Sequence, residues 1–108
     1  MTYYPKNTFE FKGLMNDKNG IYKYVAILHN KHFDRLVAVP FGNIKDTHFR
    51  DTTGLNTYSH LDNNNYKLRQ LFIKNTIHHL KPDYYSSIYF ELKYLYNYEV
   101  DCLYRFEE

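Results

Sequence analysis

The sequence predicts an α+β fold, a small antiparallel sheet packed against a central helix and a second, Tyr-rich helix. Three observations predict it. Residues 21–29 and 34–41 are short runs rich in β-branched and aromatic side chains, separated by a turn, which is the pattern of a β-hairpin. Residues 63–80 carry apolar side chains at intervals of three and four, the period of a helix. Residues 86–96 open on a serine pair, Ser86-Ser87, either of which can cap a helix, and they are dense in Tyr. The length of 108 residues suits one domain, 1–108, with a modest core. A content of 44% hydrophobic and 24% charged side chains belongs to folded globular chains.

In chain order, residues 1–8 are a polar lead with Tyr3, Tyr4 and Pro5, expected as an arm. Residues 9–15 form a short strand. Asn16 to Gly20 is a turn, with Gly20 available for positive φ. The strand over 21–29 is expected to bury Val25 and Ile27. In the return strand, Val37, Val39 and Phe41 share one face, and Leu36, Ala38 and Pro40 share the other. Val37 and Val39 are assigned to the core. Pro40 removes a ladder donor and marks a strand end or a sheet edge. Gly42 permits a sharp exit into a long loop, 43–59. That loop holds Asp46, His48, Arg50, Asp51, Thr52 and Thr53, side chains able to order it by bonding its own backbone.

For the central helix, Asp62 is the expected N-cap. Tyr66, Ile73, Ile77 and Leu80 form one apolar sector, and Leu68, Leu71 and Phe72 a second. So wide an apolar arc predicts packing on more than one side, with Leu68, Phe72 and Ile77 in the core. Lys67, Gln70, Lys74 and His78 share the remaining, solvent-facing stripe. Arg69 borders the first apolar sector and needs a partner for its charge, with Asp46 or Asp51 as candidates. His78 and His79 sit where a helix C-terminus favours a cation. Beyond the second helix, Tyr98, Val100, Cys102, Tyr104 and Phe106 alternate with Glu99, Asp101, Arg105 and Glu107. This alternation predicts a strand that pairs within its own sheet or with the edge of another chain's sheet. Those five apolar residues are the candidate partner-binding set.

Charge is segregated. Residues 1–81 hold 12 Lys and Arg against 6 Asp and Glu, whereas residues 82–108 hold 2 against 6. The overall +2 does not require a nucleic-acid partner. If there were one, Lys67, Arg69, Lys74 and His78 would contact it. Aromatic residues make up 19% of the chain, with 13 Tyr, 8 Phe and no Trp. Tyr combines a large apolar ring with a hydroxyl and so suits half-buried surfaces and interfaces. The single cysteine, Cys102, excludes an intramolecular disulfide. No leader-like apolar stretch or membrane-length run is present, so a reducing intracellular compartment and no membrane partner are expected. No phosphate-binding loop, nucleophile elbow, CxxC or HExxH occurs, so no enzyme activity, metal or cofactor is assigned. His60-x-Asp62 and Asn75-x-x-x-His79 bear a faint similarity to the ββα-metal (HNH) nucleases. The lack of a paired Cys or His–His set counts against that alternative.

The order of hairpin, Phe41-Gly42, Asp51-Thr52, His60-x-Asp62, Arg69, His78/His79 and an aromatic end resembles a family of small uncharacterised proteins. These are encoded by large DNA viruses of algae and protists and by phages. The resemblance covers about residues 22–96. One departure is that the family's dense basic run is thinned here to Lys67, Arg69 and Lys74, with Leu71, Phe72 and Ile73 in its middle. The resemblance implies a viral source. With the Tyr-rich, charge-segregated surfaces it leads us to expect a non-enzymatic viral structural or assembly protein. Such a virion component would bind viral or host proteins, with oligomers allowed, inside the host cell or in the particle. A nucleic-acid-binding viral accessory protein is the alternative expectation.

Overall fold

The computed structural model describes residues 4–80 and 83–100. Its elements are β1 (Tyr4–Pro5), β2 (Phe9–Asn16), β3 (Tyr22–Asn30), β4 (Arg35–Asn43), α1 (Tyr66–Thr76), β5 (Tyr84–Tyr85) and α2 (Ser87–Leu95). Short 3-10 turns at Ser59–Leu61 and Ile77–His79 flank α1. Two antiparallel sheets result, ordered β2-β3-β4 and β1-β5. With the two helices they make the α+β fold that the sequence predicts.

The β3–β4 hairpin is closed by Asn30, whose side chain accepts from the backbone of His32 and Phe33. Opposed pairs Tyr24–Phe41, Ala26–Val39 and Leu28–Val37 line the core face. Tyr24, Ala26 and Leu28 are fully buried there. Val25 and Ile27 therefore point to the opposite face and are only half-buried, which corrects the expected core. Both faces of this strand are apolar, so alternation alone does not say which one turns inward. Lys23 and Tyr24 are both buried although adjacent, so the alternation breaks at that point.

A bulge between Phe11 and Gly13 in β2 lets Phe11 and Leu14 both pack on the core, although three residues apart. Pro40 lies in β4, an edge strand, where its missing N–H is tolerated. The chain start is not a free arm. Tyr4 pairs with Tyr85 and Pro5 with Tyr84, and the Lys6 N–H donates to the Asp83 carbonyl at 2.8 Å. Residues 1–3 lie outside the described residues.

The helix that lies on the sheet is α2. Ser86 caps it, its hydroxyl accepting from the Tyr89 N–H. Its buried face is Tyr89, Phe90, Leu92 and Leu95. The Phe90 ring sits 5.8 Å from that of Phe41, and the Ser87 hydroxyl donates to the Pro40 carbonyl at 2.6 Å. Gly42, at φ +80°, lets this approach happen, because a Cβ there would meet Leu95 Cδ1 at 2.9 Å.

The central helix packs at the flank through Phe72, Ile73 and Ile77. Phe72 stacks on Tyr96 with ring centroids 3.8 Å apart. None of its residues is fully buried, and Tyr66, Leu68 and Leu71 are exposed. Packing on one side only, with Leu68 outside the core, replaces the expected two-sided burial. The N-cap is Asn65, which accepts from the Leu68 N–H at 3.1 Å, not Asp62. Asp62 is drawn away because its carboxylate serves His48 and the Asp51 N–H.

The expected strand at 98–106 is not formed where the chain is described. Asn97 is left-handed, and the Tyr98 N–H turns back to the Leu92 carbonyl at 2.9 Å, which ends α2. Val100 is fully buried. Cys102, Tyr104 and Phe106 lie outside the described residues.

Candidate functional site

The loop after Gly42 builds the polar heart of the molecule. The Asn43 side chain accepts from the Lys45 N–H and fixes the first turn. The His48 N–H then donates to the Leu61 carbonyl, and the Asn63 N–H to the His48 carbonyl. Arg50 and Thr52 donate their N–H groups to the carbonyls of Leu95 and Tyr94 at the end of α2. Asp51 accepts from the Thr53 N–H and hydroxyl and from the Tyr24 hydroxyl. Polar side chains thus order the loop through its own backbone, as the sequence predicts.

Inside the loop three titratable side chains form a chain. Lys23, only 1% exposed, donates to the Asp46 carbonyl at 2.7 Å and to His48 Nδ1 at 2.9 Å. An ammonium cannot accept, so Nδ1 is the acceptor and Nε2 carries the imidazole proton. That N–H faces Asp62 Oδ1 at 2.5 Å. Burial pushes the Lys23 pKa down, although Glu91, Asp46, Asp51 and Asp62 all favour its charge. Burial, and then the Lys23 charge, also pushes His48 down, which keeps it neutral. Burial by itself would raise Asp51. The bonds from Thr53 and Tyr24 outweigh it and hold that carboxyl below its usual range.

A cleft of about 400 Å³ opens on this chain, between the loop, α1 and the end of α2. Its walls include Leu68, Leu71 and Phe72 from α1, with Lys23, His48, Glu91 and Tyr96 among the polar lining. Burial raises Glu91, against the pull of Lys23 and with added push from Asp46. Burial, with Glu91 and Asp46, pushes Tyr96 up to about 12.

A second surface is apolar. The face of the three-stranded sheet opposite α2 leaves Met15, Ile21, Tyr22 and Leu36 exposed. Val25, Ile27, Ala38 and Pro40 floor a shallow groove of about 460 Å³ with Met15, Ile21 and Tyr22. Asn16, Asp17, Lys18 and Asn19 complete its lining with polar side chains.

The residues singled out in the sequence fall apart in space. Lys67 and Lys74 are exposed on α1, and His78 is exposed on the 3-10 turn that follows it. Arg69, outside their stripe, is half-buried. It pairs with neither Asp46 nor Asp51, and instead donates to the Tyr96 carbonyl at 2.7 Å and the Asn97 carbonyl at 3.0 Å. The last carbonyls of a helix lack intrahelical donors and attract a cation, so the end of α2 takes the charge that the carboxylates were expected to take. Of the partner-binding set, Val100 is interior and Tyr98 packs against the core, which removes both from a free binding edge. Lys23 and Glu91 were not singled out. The one signal for Lys23 is a lysine inside the most apolar strand.

Among the described residues no group of three His, Cys, Asp or Glu side chains could hold a metal ion. Asp62, one of the residues of the nuclease-like pattern, is turned toward His48. No helix of the described residues is long and apolar enough to cross a membrane. No protein-family model matches the chain, and neither a curated protein nor a solved structure matches it.

Proposed function

We propose that this is a non-enzymatic interaction protein that docks a neighbouring protein on the open face of its three-stranded sheet. The observation that carries this reading is the uncovered apolar groove over Val25, Ile27, Ala38 and Pro40. An apolar centre beside the polar Asn16, Asp17, Lys18 and Asn19 is the anatomy of a protein-binding patch. With the sequence resemblance to small proteins of large DNA viruses and phages, the neighbour is a protein of the virus particle, and the chain is a structural or assembly component. With Arg69 engaged by the carbonyls at the end of α2, the candidate nucleic-acid contacts are reduced to Lys67, Lys74 and His78, which supports protein over nucleic acid as partner.

Sedimentation of particles with the tagged chain tests this reading. The protein is expected to travel with assembled particles and to remain there after nuclease treatment and at raised salt. Release by nuclease, or binding to free DNA or RNA that falls steeply with salt, would replace this reading with the nucleic-acid one.

A further inference from the structure

The cleft beside the Lys23–His48–Asp62 chain shares no lining residue with the sheet groove, and its chemistry is different. Four carboxylates, those of Glu91, Asp46, Asp51 and Asp62, act electrostatically on the single Lys23 ammonium. His48 adds no charge while neutral. Asp51 and Asp62 have hydrogen-bond donors of their own. Glu91 makes no hydrogen bond or close ion pair among the described residues, yet it is half-buried on the cleft wall. Among the described residues the cation that acts on it is Lys23, whose donors are directed to the Asp46 carbonyl and to His48. Of the charged groups that line the cleft, Glu91 and Asp46 are acidic and Lys23 is basic, so its carboxylates outnumber its ammonium by one. On the α1 side Leu68, Leu71 and Phe72 give it an apolar wall, and Asn75 contributes a neutral amide.

We propose that this cleft binds a linear alkyl polyamine, with one ammonium on Glu91 and its methylenes along Leu71 and Phe72. The match is of charge and of shape. A primary ammonium brings three donors to a carboxylate that has none, and a short methylene chain suits an apolar wall next to it. A bare divalent cation fits poorly, because among the described residues no group of three His, Cys, Asp or Glu side chains could hold one. The cleft volume lies within the usual range for small-ligand sites.

The test uses the full chain, titrated with spermidine by calorimetry and by amide chemical-shift mapping at low ionic strength. Saturable one-site binding is expected, with shifts at Glu91, Leu71 and Phe72. Glu91→Gln should weaken it by roughly tenfold to a hundredfold, the scale of one charge-assisted hydrogen bond. Leu71→Lys is a second variant that does not touch the carboxylate. It tethers an ammonium at the cleft mouth and should compete with spermidine. Magnesium at equal charge concentration should not displace the ligand. Absence of saturable binding, unchanged affinity in both variants, or equal displacement by magnesium would overturn the proposal.

Discussion

The Nζ of Lys23 lies 2.9 Å from Nδ1 of His48, and both side chains are almost entirely removed from solvent. This contact joins the sheet to the loop that crosses it, since Lys23 also holds the Asp46 carbonyl and His48 also holds Asp62. A buried ion network adds little over a well-packed apolar one, but breaking it from one side leaves charges and acceptors stranded. Lys23→Met should therefore cost about 2–4 kcal/mol in urea unfolding. A cost under about 0.5 kcal/mol would mean that water takes over the ammonium's place.

His48 gives a pH dependence of defined sign. Its folded pKa is depressed below 6.5, so the unfolded chain binds more protons as the pH falls through that value. Stability contributed by the neutral imidazole is full above the unfolded pKa and is lost as the pH drops toward the folded one. Asp51, also depressed, adds a second loss of the same sign below about pH 4. Unfolding midpoints measured from pH 8 downward should fall first below about pH 6.5. His48→Gln should flatten that first step and leave the second.

Glu91 works in the opposite direction. Its folded pKa is raised by burial, so its ionisation opposes folding as the pH rises past the unfolded value. Glu91→Gln should hold or raise the thermal midpoint at pH 7, by up to about 1 kcal/mol of stability. A large loss would show that the carboxylate is needed to balance Lys23.

At Gly42 two constraints coincide, a φ of +80° and the Leu95 methyl 2.9 Å from any Cβ. Gly42→Ala should cost about 2–4 kcal/mol, combining backbone strain with displacement of a core side chain. Circular dichroism melts would report it. Gly20, also at positive φ but with open space around it, should lose only about 1 kcal/mol on the same change.

Much of the fold could be read locally. The 30–33 turn, the Ser86 cap, Pro40 at an edge and the self-ordered loop all depend on near neighbours, and the sequence carries those signals. The errors share one cause. Which face of β3 turns inward was hidden because Val25 and Ile27 are as apolar as Ala26 and Leu28. Asp62 and Asn65 are both good caps for α1, and only the distant His48 removes Asp62 from contention. Arg69 finds its acceptor at the helix end, on the Tyr96 carbonyl 27 residues away in sequence, where no local pattern links the two. The candidate cleft joins Lys23, His48 and Glu91 from three separate segments, and no spacing rule links them.

The most direct measurement of the interaction role compares particle binding by the wild-type chain with that of Ile27→Glu and Leu36→Glu. Both positions are on the open sheet face, and neither contributes to the buried core, so each variant should keep the wild-type circular dichroism spectrum. Loss of co-sedimentation in both, with Lys67→Ala unaffected, is the predicted result. Folded variants that still travel with particles as the wild type does would contradict docking through this face.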